Sequence, residues 1–206
     1  MSVGRPRSFC TEKALERAMD VFWEKGYEGA SLSDLTEAMG INRPSLYAAY
    51  GNKEQLYRKV LERYAQGPAN YMAVALNEPT SRGLAERLLI DSAAMLTDGS
   101  HPHGCLMVQG KMTCGDSAPD AQDDIAQRRA DLEERLRKRL ERARKEGDLP
   151  PESNAGHLAR YLLALVQGMS VSASHGSKRE ELVAIAYVAL ASWPKPAKKV
   201  ATRKPR

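Results

Sequence analysis

Residues 31–53 read SLSDLTEAMGINRPSLYAAYGNK, and their spacing decides the fold. Ser31 and Asp34 stand at the separation of a capping box, so a helix can start at Leu32. Leu32, Leu35, Ala38 and Met39 recur at helical spacing and give that helix one apolar face. Gly40 stops it, because glycine tolerates the left-handed backbone that helix ends often need. Asn42 can cap a second helix, with Pro44 in its first turn, where a missing N–H costs little. Leu46, Ala49 and Tyr50 make its inner face; Asn42, Arg43, Ser45, Tyr47 and Ala48 point outward or cap. Two short helices joined by a glycine turn fit a helix-turn-helix, whose second helix can enter a DNA major groove. An ordinary helical hairpin fits the same spacing.

Upstream, Thr11 can cap a helix carrying Ala14, Leu15, Ala18, Met19 and Phe22 on one face, with Gly26 and Gly29 marking its end. This helix is expected to pack across the other two and make a three-helix unit. Residues 1–10 read as a flexible basic arm, in which Arg5 and Arg7 can reach phosphates or a minor groove or simply stay solvated. Downstream, Asn52-Lys53-Glu54-Gln55 repeats the capping-box logic and opens a helix with Leu56, Tyr57, Val60, Leu61 and Tyr64. Gly67-Pro68 kinks or breaks it.

The run from ALERAMDVFWEKGYEGAS through LTEAMGINRPSLYAAYGNKEQLY resembles the N-terminal DNA-binding domain of TetR/AcrR-type transcriptional regulators. Phe22, Gly26-Tyr27, Ala38, Gly40, Leu46-Tyr47, Tyr50 and Lys53-Glu54 are the landmarks that carry the resemblance. It implies that Asn42, Arg43, Pro44, Ser45, Tyr47, Ala48 and Lys53 face double-stranded operator DNA. Arg43 suits base reading, because a guanidinium can pair bidentately with guanine. Tyr47, Lys53, Ser31 and, from the arm, Arg7 suit phosphate contacts. The sequence departs from the commoner pattern at Ala48 and Ala49, where larger polar or aromatic residues are frequent. An alanine cannot hydrogen-bond a base but can touch a thymine methyl, so the operator sequence stays open.

The remaining pattern is helical throughout. Arg82–Thr97 carries Leu84, Leu88, Leu89, Met95 and Leu96; GCLMVQGKM (104–112) fits a strand or a helix by period, and its surroundings favour helix. Gln122–Glu146 has a narrow apolar stripe of Ile125, Leu132, Leu136, Leu140 and Ala143 in a charged helix. Its i,i+4 pairs Asp131–Arg135, Glu133–Arg137, Glu134–Lys138 and Glu141–Lys145 would each add ~0.2–0.5 kcal/mol, so its arginines read as a solvated face. Asn154–Ala173 and Lys178–Trp193 are apolar over more than one face, with Ala159, Ala164, Gly168, Ala184, Ala186 and Ala189 permitting close approach. That pattern suits a dimer interface or a buried core; the resemblance, which continues after residue 110, implies a homodimer through these last two long helices.

The expected fold is therefore all-α with about nine helices: an arm at 1–10, a helix-turn-helix domain at 11–53, a ligand-binding and dimerisation domain at 54–193, and a disordered basic tail at 194–206. The 206-residue chain carries a formal net charge of +5. Six cations, Lys195, Lys198, Lys199, Arg203, Lys204 and Arg206, lie in the tail; set aside, they leave 25 basic against 26 acidic residues. The charge is thus weak support for sequence-specific DNA binding, which rests on the motif. No apolar run spans a membrane and the N-terminus lacks the apolar core of a signal peptide, so a cytoplasmic chain is expected.

No nucleophile elbow, phosphate loop, HExxH or dinucleotide fingerprint is present, which argues against an enzyme, and no cofactor is implied. Three cysteines at irregular spacing do not form a disulfide framework. His101-Pro102-His103-Gly104-Cys105 lacks an established zinc spacing, so no metal site is assigned. Cys105, with Cys114 as a resolving thiol, fits a redox or electrophile sensor, or a small core residue; Cys10 is expected to be exposed. The resemblance further implies a repressor released by a small-molecule effector bound in the C-terminal domain, with an activator as the variant. Leu88, Met95, Cys105, Met107, Met112, Tyr161, Leu165 and Met169 are the candidate pocket residues, each of which also suits plain core.

Overall fold

The computed structural model describes residues 11–113 and 118–196, and for 111–113 the backbone alone. Arg7, Cys10 and Cys114 lie outside the described residues, as do the Met112 side chain and residues 197–206. Among the described residues the chain folds into ten α-helices. They are α1 Thr11–Gly29, α2 Leu32–Met39, α3 Arg43–Tyr50, α4 Lys53–Gln66, α5 Tyr71–Ala75, α6 Ser81–Leu96, α7 Leu106–Thr113, α8 Pro119–Lys145, α9 Ala155–Ser174 and α10 Arg179–Ala191. The expectation of about nine missed α5, which follows a 3-10 turn at Pro68–Asn70 and has no side-chain cap to announce it.

The first three helices close on a shared core. Ala14, Ala18, Phe22 and Trp23 of α1 are buried with Leu35 and Met39 of α2 and Leu46 and Tyr50 of α3. Gly26 interrupts α1 at φ 70°, a left-handed backbone that lets Tyr27 turn back into the core. The Tyr50 hydroxyl donates to the Thr11 carbonyl at 2.8 Å, tying the end of α3 to the start of α1.

An aromatic cluster joins this unit to the rest of the chain. Phe22 and Tyr57 of α4 lie 4.8 Å apart by ring centroids, Tyr27 and Tyr57 5.2 Å, and Trp23 meets Tyr64 edge-on at 4.9 Å. His101, in the loop before α7, stacks on Trp23 at 4.3 Å. Such ring pairs contribute about 0.5–1.5 kcal/mol each beyond their burial. Trp23 was absent from the apolar face read from sequence, because its Phe22 neighbour already filled that stripe.

The body is built from α6 against α9 and α10, and α8 against α9. The surface pairing on α8 differs from the simple i,i+4 pattern. Glu134 and Lys138 do pair, at 3.5 Å, but Arg137 bridges Glu134 and Glu141, both at 2.7 Å. Glu133 reaches across to Arg160 of α9 at 2.8 Å, and Asp131 accepts from the Gln127 amide. Tertiary contact with α9 overrides the intrahelical choice for Glu133. No described helix is long and apolar enough to cross a membrane.

Candidate DNA-binding face and effector cavity

The helix-turn-helix is held by local hydrogen bonds that leave one face of α3 open. Ser31 caps α2: its Oγ accepts from the Asp34 N–H at 3.0 Å while the Asp34 carboxylate accepts from the Ser31 N–H at 2.9 Å. Lys25 lies 2.6 Å from Asp34. The Lys25 hydrogen bond, then those from Ser31, hold the Asp34 carboxyl well below the usual carboxylate range. Gly40, at φ 66° and ψ 34°, ends α2 in the left-handed region. Asn42 then caps α3 by accepting from the Ser45 N–H at 2.9 Å.

Leu46 and Tyr50 anchor α3 inward, so Arg43, Pro44, Tyr47 and Ala48 stand exposed together, with Asn42 at the cap and Ser45 beside them. No acidic residue lies on α3, so nothing on that helix repels a phosphate. Arg43 Nη2 donates to Ser33 Oγ at 3.0 Å, which orients the guanidinium and leaves four of its five N–H donors for DNA. The Lys53 ammonium sits 4.5 Å from the Tyr27 ring centroid, a cation–π contact that sets it at the head of α4. Ser31 is exposed, but its hydroxyl donates to Asp34 at 2.6 Å and would have to give up that bond to grip a phosphate.

The pocket candidates separate. Cys105 and Met107 line a cavity of about 380 Å³ between α5, α7, α8 and α9, whose other walls include Met72, Val108, Ile125 and Val166. Leu88 and Met169 are each 1% exposed and belong to the close-packed core, outside that cavity. Met95 borders a larger cleft of about 720 Å³ with Tyr71, Asp98, His101 and Lys178. Tyr161 is 39% exposed on the outer face of α9, with Leu165 half-buried nearby, and neither lines the cavity. Arg129 and Gln167 at the cavity edge were missed, because Arg129 read as part of a solvated stripe.

Cys105 is 3% exposed, and its Sγ accepts from the Tyr64 hydroxyl at 3.2 Å. Burial pushes the thiol up, against the thiolate that a reactive sensor needs. His103 is exposed, His101 is stacked on Trp23, and Cys105 is buried under Tyr64, so the three occupy separate environments. Tyr187 and Val188 of α10 are 59% and 74% exposed, and with Ile185 they give that helix an apolar outer face.

Residues 14–60 match the family described as "Bacterial regulatory proteins, tetR family", and residues 85–186 match "Tetracyclin repressor-like, C-terminal domain". The chain is 38% identical over 198 residues to the HTH-type transcriptional repressor ComR of Escherichia coli (strain K12), covering 94% of this chain and 93% of ComR. It is 29% identical over 188 residues to the HTH-type transcriptional repressor BdcR of the same organism, covering 90% of each. Among solved structures, a cysteine mutant of the TetR family transcriptional regulator CifR complexed with 26bp double-strand operator DNA superimposes with a TM-score of 0.87. That likeness is at 39% identity and covers 92% of this chain and 100% of the CifR chain. The chain therefore belongs to the tetR family of bacterial regulatory proteins, as a helix-turn-helix transcriptional regulator.

Proposed function

We propose that the protein is a homodimeric repressor that binds a palindromic operator through α3 and is released when a small molecule occupies the cavity beside Cys105. The observation that carries the DNA reading is the exposed, acid-free outer face of α3, with Arg43 held in place by Ser33. ComR and BdcR, its relatives, are named repressors, and CifR was solved on operator DNA. One eight-residue recognition helix has limited reach, so two copies would read half-sites about 34–36 Å apart or at a related spacing. The exposed Ile185, Tyr187 and Val188 supply an apolar face for that pairing.

The test is a mobility-shift assay on DNA from just upstream of the protein's own gene, with excess non-specific competitor. Competitor-resistant binding that Arg43→Ala removes supports the reading. Binding that is equal on all sequences and governed by salt would refute it.

A second reading, release by an oxidant or electrophile at Cys105, rests on Cys105 lining the same cavity. It predicts that peroxide or an electrophile abolishes operator binding, that thiol reverses the oxidant's effect, and that Cys105→Ser is indifferent. The raised thiol disfavours it against reversible ligand binding.

A further inference from the structure

The cavity beside Cys105 also carries information about what fills it. Its interior is apolar: Met72, Met107, Val108, Ile125 and Val166 contribute walls, and Cys105 lies among them. Two arginines and no carboxylate line it. The charge of Arg128 is answered by Asp124 at 3.1 Å. Arg129 has no carboxylate partner among the described residues; its Nε and Nη1 lie 3.3 Å from the Gln167 side-chain oxygen, in the amide orientation that satisfies both groups. Arg129 is exposed whereas Cys105, Ile125 and Val166 are buried, so the site grades from an apolar floor to a cationic mouth.

We propose that this cavity takes a medium-chain aliphatic monocarboxylate, its tail against Ile125 and Val166 and its carboxylate on Arg129. The proposal rests on the effector-release reading above and names the ligand class for it. A guanidinium pairs with a carboxylate through parallel N–H donors, and Gln167 supplies a further amide donor at the same end. A neutral apolar ligand would gain nothing from the guanidinium at the mouth, and a polyanion would find a single cation without a carboxylate partner. At the ~30 Å³ that a water occupies in the liquid, 380 Å³ holds on the order of a dozen non-hydrogen atoms, the size of octanoate to decanoate.

The test uses the full chain, with octanoate and 1-octanol titrated calorimetrically below their aggregation limits. Octanoate is expected to bind at least about tenfold more tightly than octanol, the scale of one charge-assisted hydrogen bond. Arg129→Gln, an exposed position whose replacement leaves the core intact, is expected to bring the two affinities within about twofold of each other by weakening octanoate alone. Failure of octanoate to bind, or a preference that survives Arg129→Gln, overturns the proposal. Operator binding is measured in parallel. Octanoate that binds with the Arg129-dependent preference but leaves operator affinity unchanged establishes the ligand class and refutes effector release. Specific operator binding together with no octanoate binding refutes the ligand class and leaves the repressor reading standing.

Discussion

Gly110 on α7 and Tyr57 on α4 meet so closely that a single methyl group should couple them. A Cβ built on Gly110 would lie 2.2 Å from the Tyr57 hydroxyl oxygen, 3.3 Å from Ile125 Cδ1 and 3.5 Å from Tyr57 Cζ. The first distance is impossible, the second requires a flexible side-chain tip to yield slightly, and the third is ordinary contact. Tyr57 is fully buried between Phe22 and Tyr27, so its ring has little room to retreat. Gly110→Ala should therefore cost about 1–3 kcal/mol, the range for overpacking a core. At ~2–4 °C per kcal/mol for a chain of this size, the melting temperature falls by about 2–12 °C. In a Tyr57→Phe background the clashing atom is gone. There the same substitution replaces a helical glycine with alanine, which gains up to about 1 kcal/mol of helix propensity. The double-mutant cycle, read by urea denaturation at fixed protein concentration, should give a coupling of about 1–4 kcal/mol. A coupling inside the ~0.5 kcal/mol error of such cycles would refute the claim that the hydroxyl fixes the separation of α4 and α7.

Three further outcomes are expected. Arg43→Ala loses a bidentate base contact worth about 1–3 kcal/mol per half-site, and mobility shift should show operator affinity falling by at least about 30-fold over two half-sites. Ser33→Ala removes only the bond that orients the guanidinium and should cost far less affinity, and a loss as large as that of Arg43→Ala would sink the base-reading role. Because Lys25 and then Ser31 depress the Asp34 carboxyl, its support of α2 is complete above about pH 4, its unfolded-state pKa region, and is lost as pH falls toward the folded value. The melting-temperature gap between wild type and Asp34→Asn should be full at pH 6 and narrow progressively as pH falls below about 4; a gap unchanged with pH contradicts that assignment. Val188→Glu, at a position 74% exposed, should leave each subunit folded by circular dichroism yet convert a sedimenting dimer to monomer, and a persisting dimer would place the interface elsewhere.

The N-terminal fold was legible because its signals are local. Ser31–Asp34, Gly40 and Asn42–Ser45 each make, in the structure, the cap or turn that residue type and spacing dictate. Leu46 and Tyr50 turn inward for the same reason of period. The cavity was not legible to the same degree. It is assembled from α5, α7, α8 and α9, and α5 has no capping signal of its own. Met107 and Tyr161 both suit a pocket by their chemistry, and nothing in the sequence says that Tyr161 faces out from α9 while Val166, five residues on, faces in. Arg129 was hidden by its neighbours: a run dense in alternating charge looks the same whether one cation is solvated or turned to the edge of an apolar cleft. The stacking of His101 on Trp23 joins residues far apart in sequence, and no local rule anticipates it.

Two contacts make the cavity and the DNA-binding face parts of one mechanical unit. Met107 and Val108 on α7 wall the cavity, and Gly110, on the same helix, is pressed against Tyr57 of α4. At the other wall, α8 carries Ile125 and Arg129 into the cavity, and its first turn is fastened to α4 where the Ala121 N–H donates to the Glu54 carboxylate at 3.1 Å. Glu54 lies in the first turn of α4, two residues after its Asn52 cap and three after Gly51, which ends α3. On the effector-release reading, a ligand that changes the separation of α7 and α8 would act on α4 at both Tyr57 and Glu54, and α4 begins where the recognition helix stops. A packed core of this kind transmits such a change as displacement of whole helices rather than absorbing it, since its interior has little free volume to take it up.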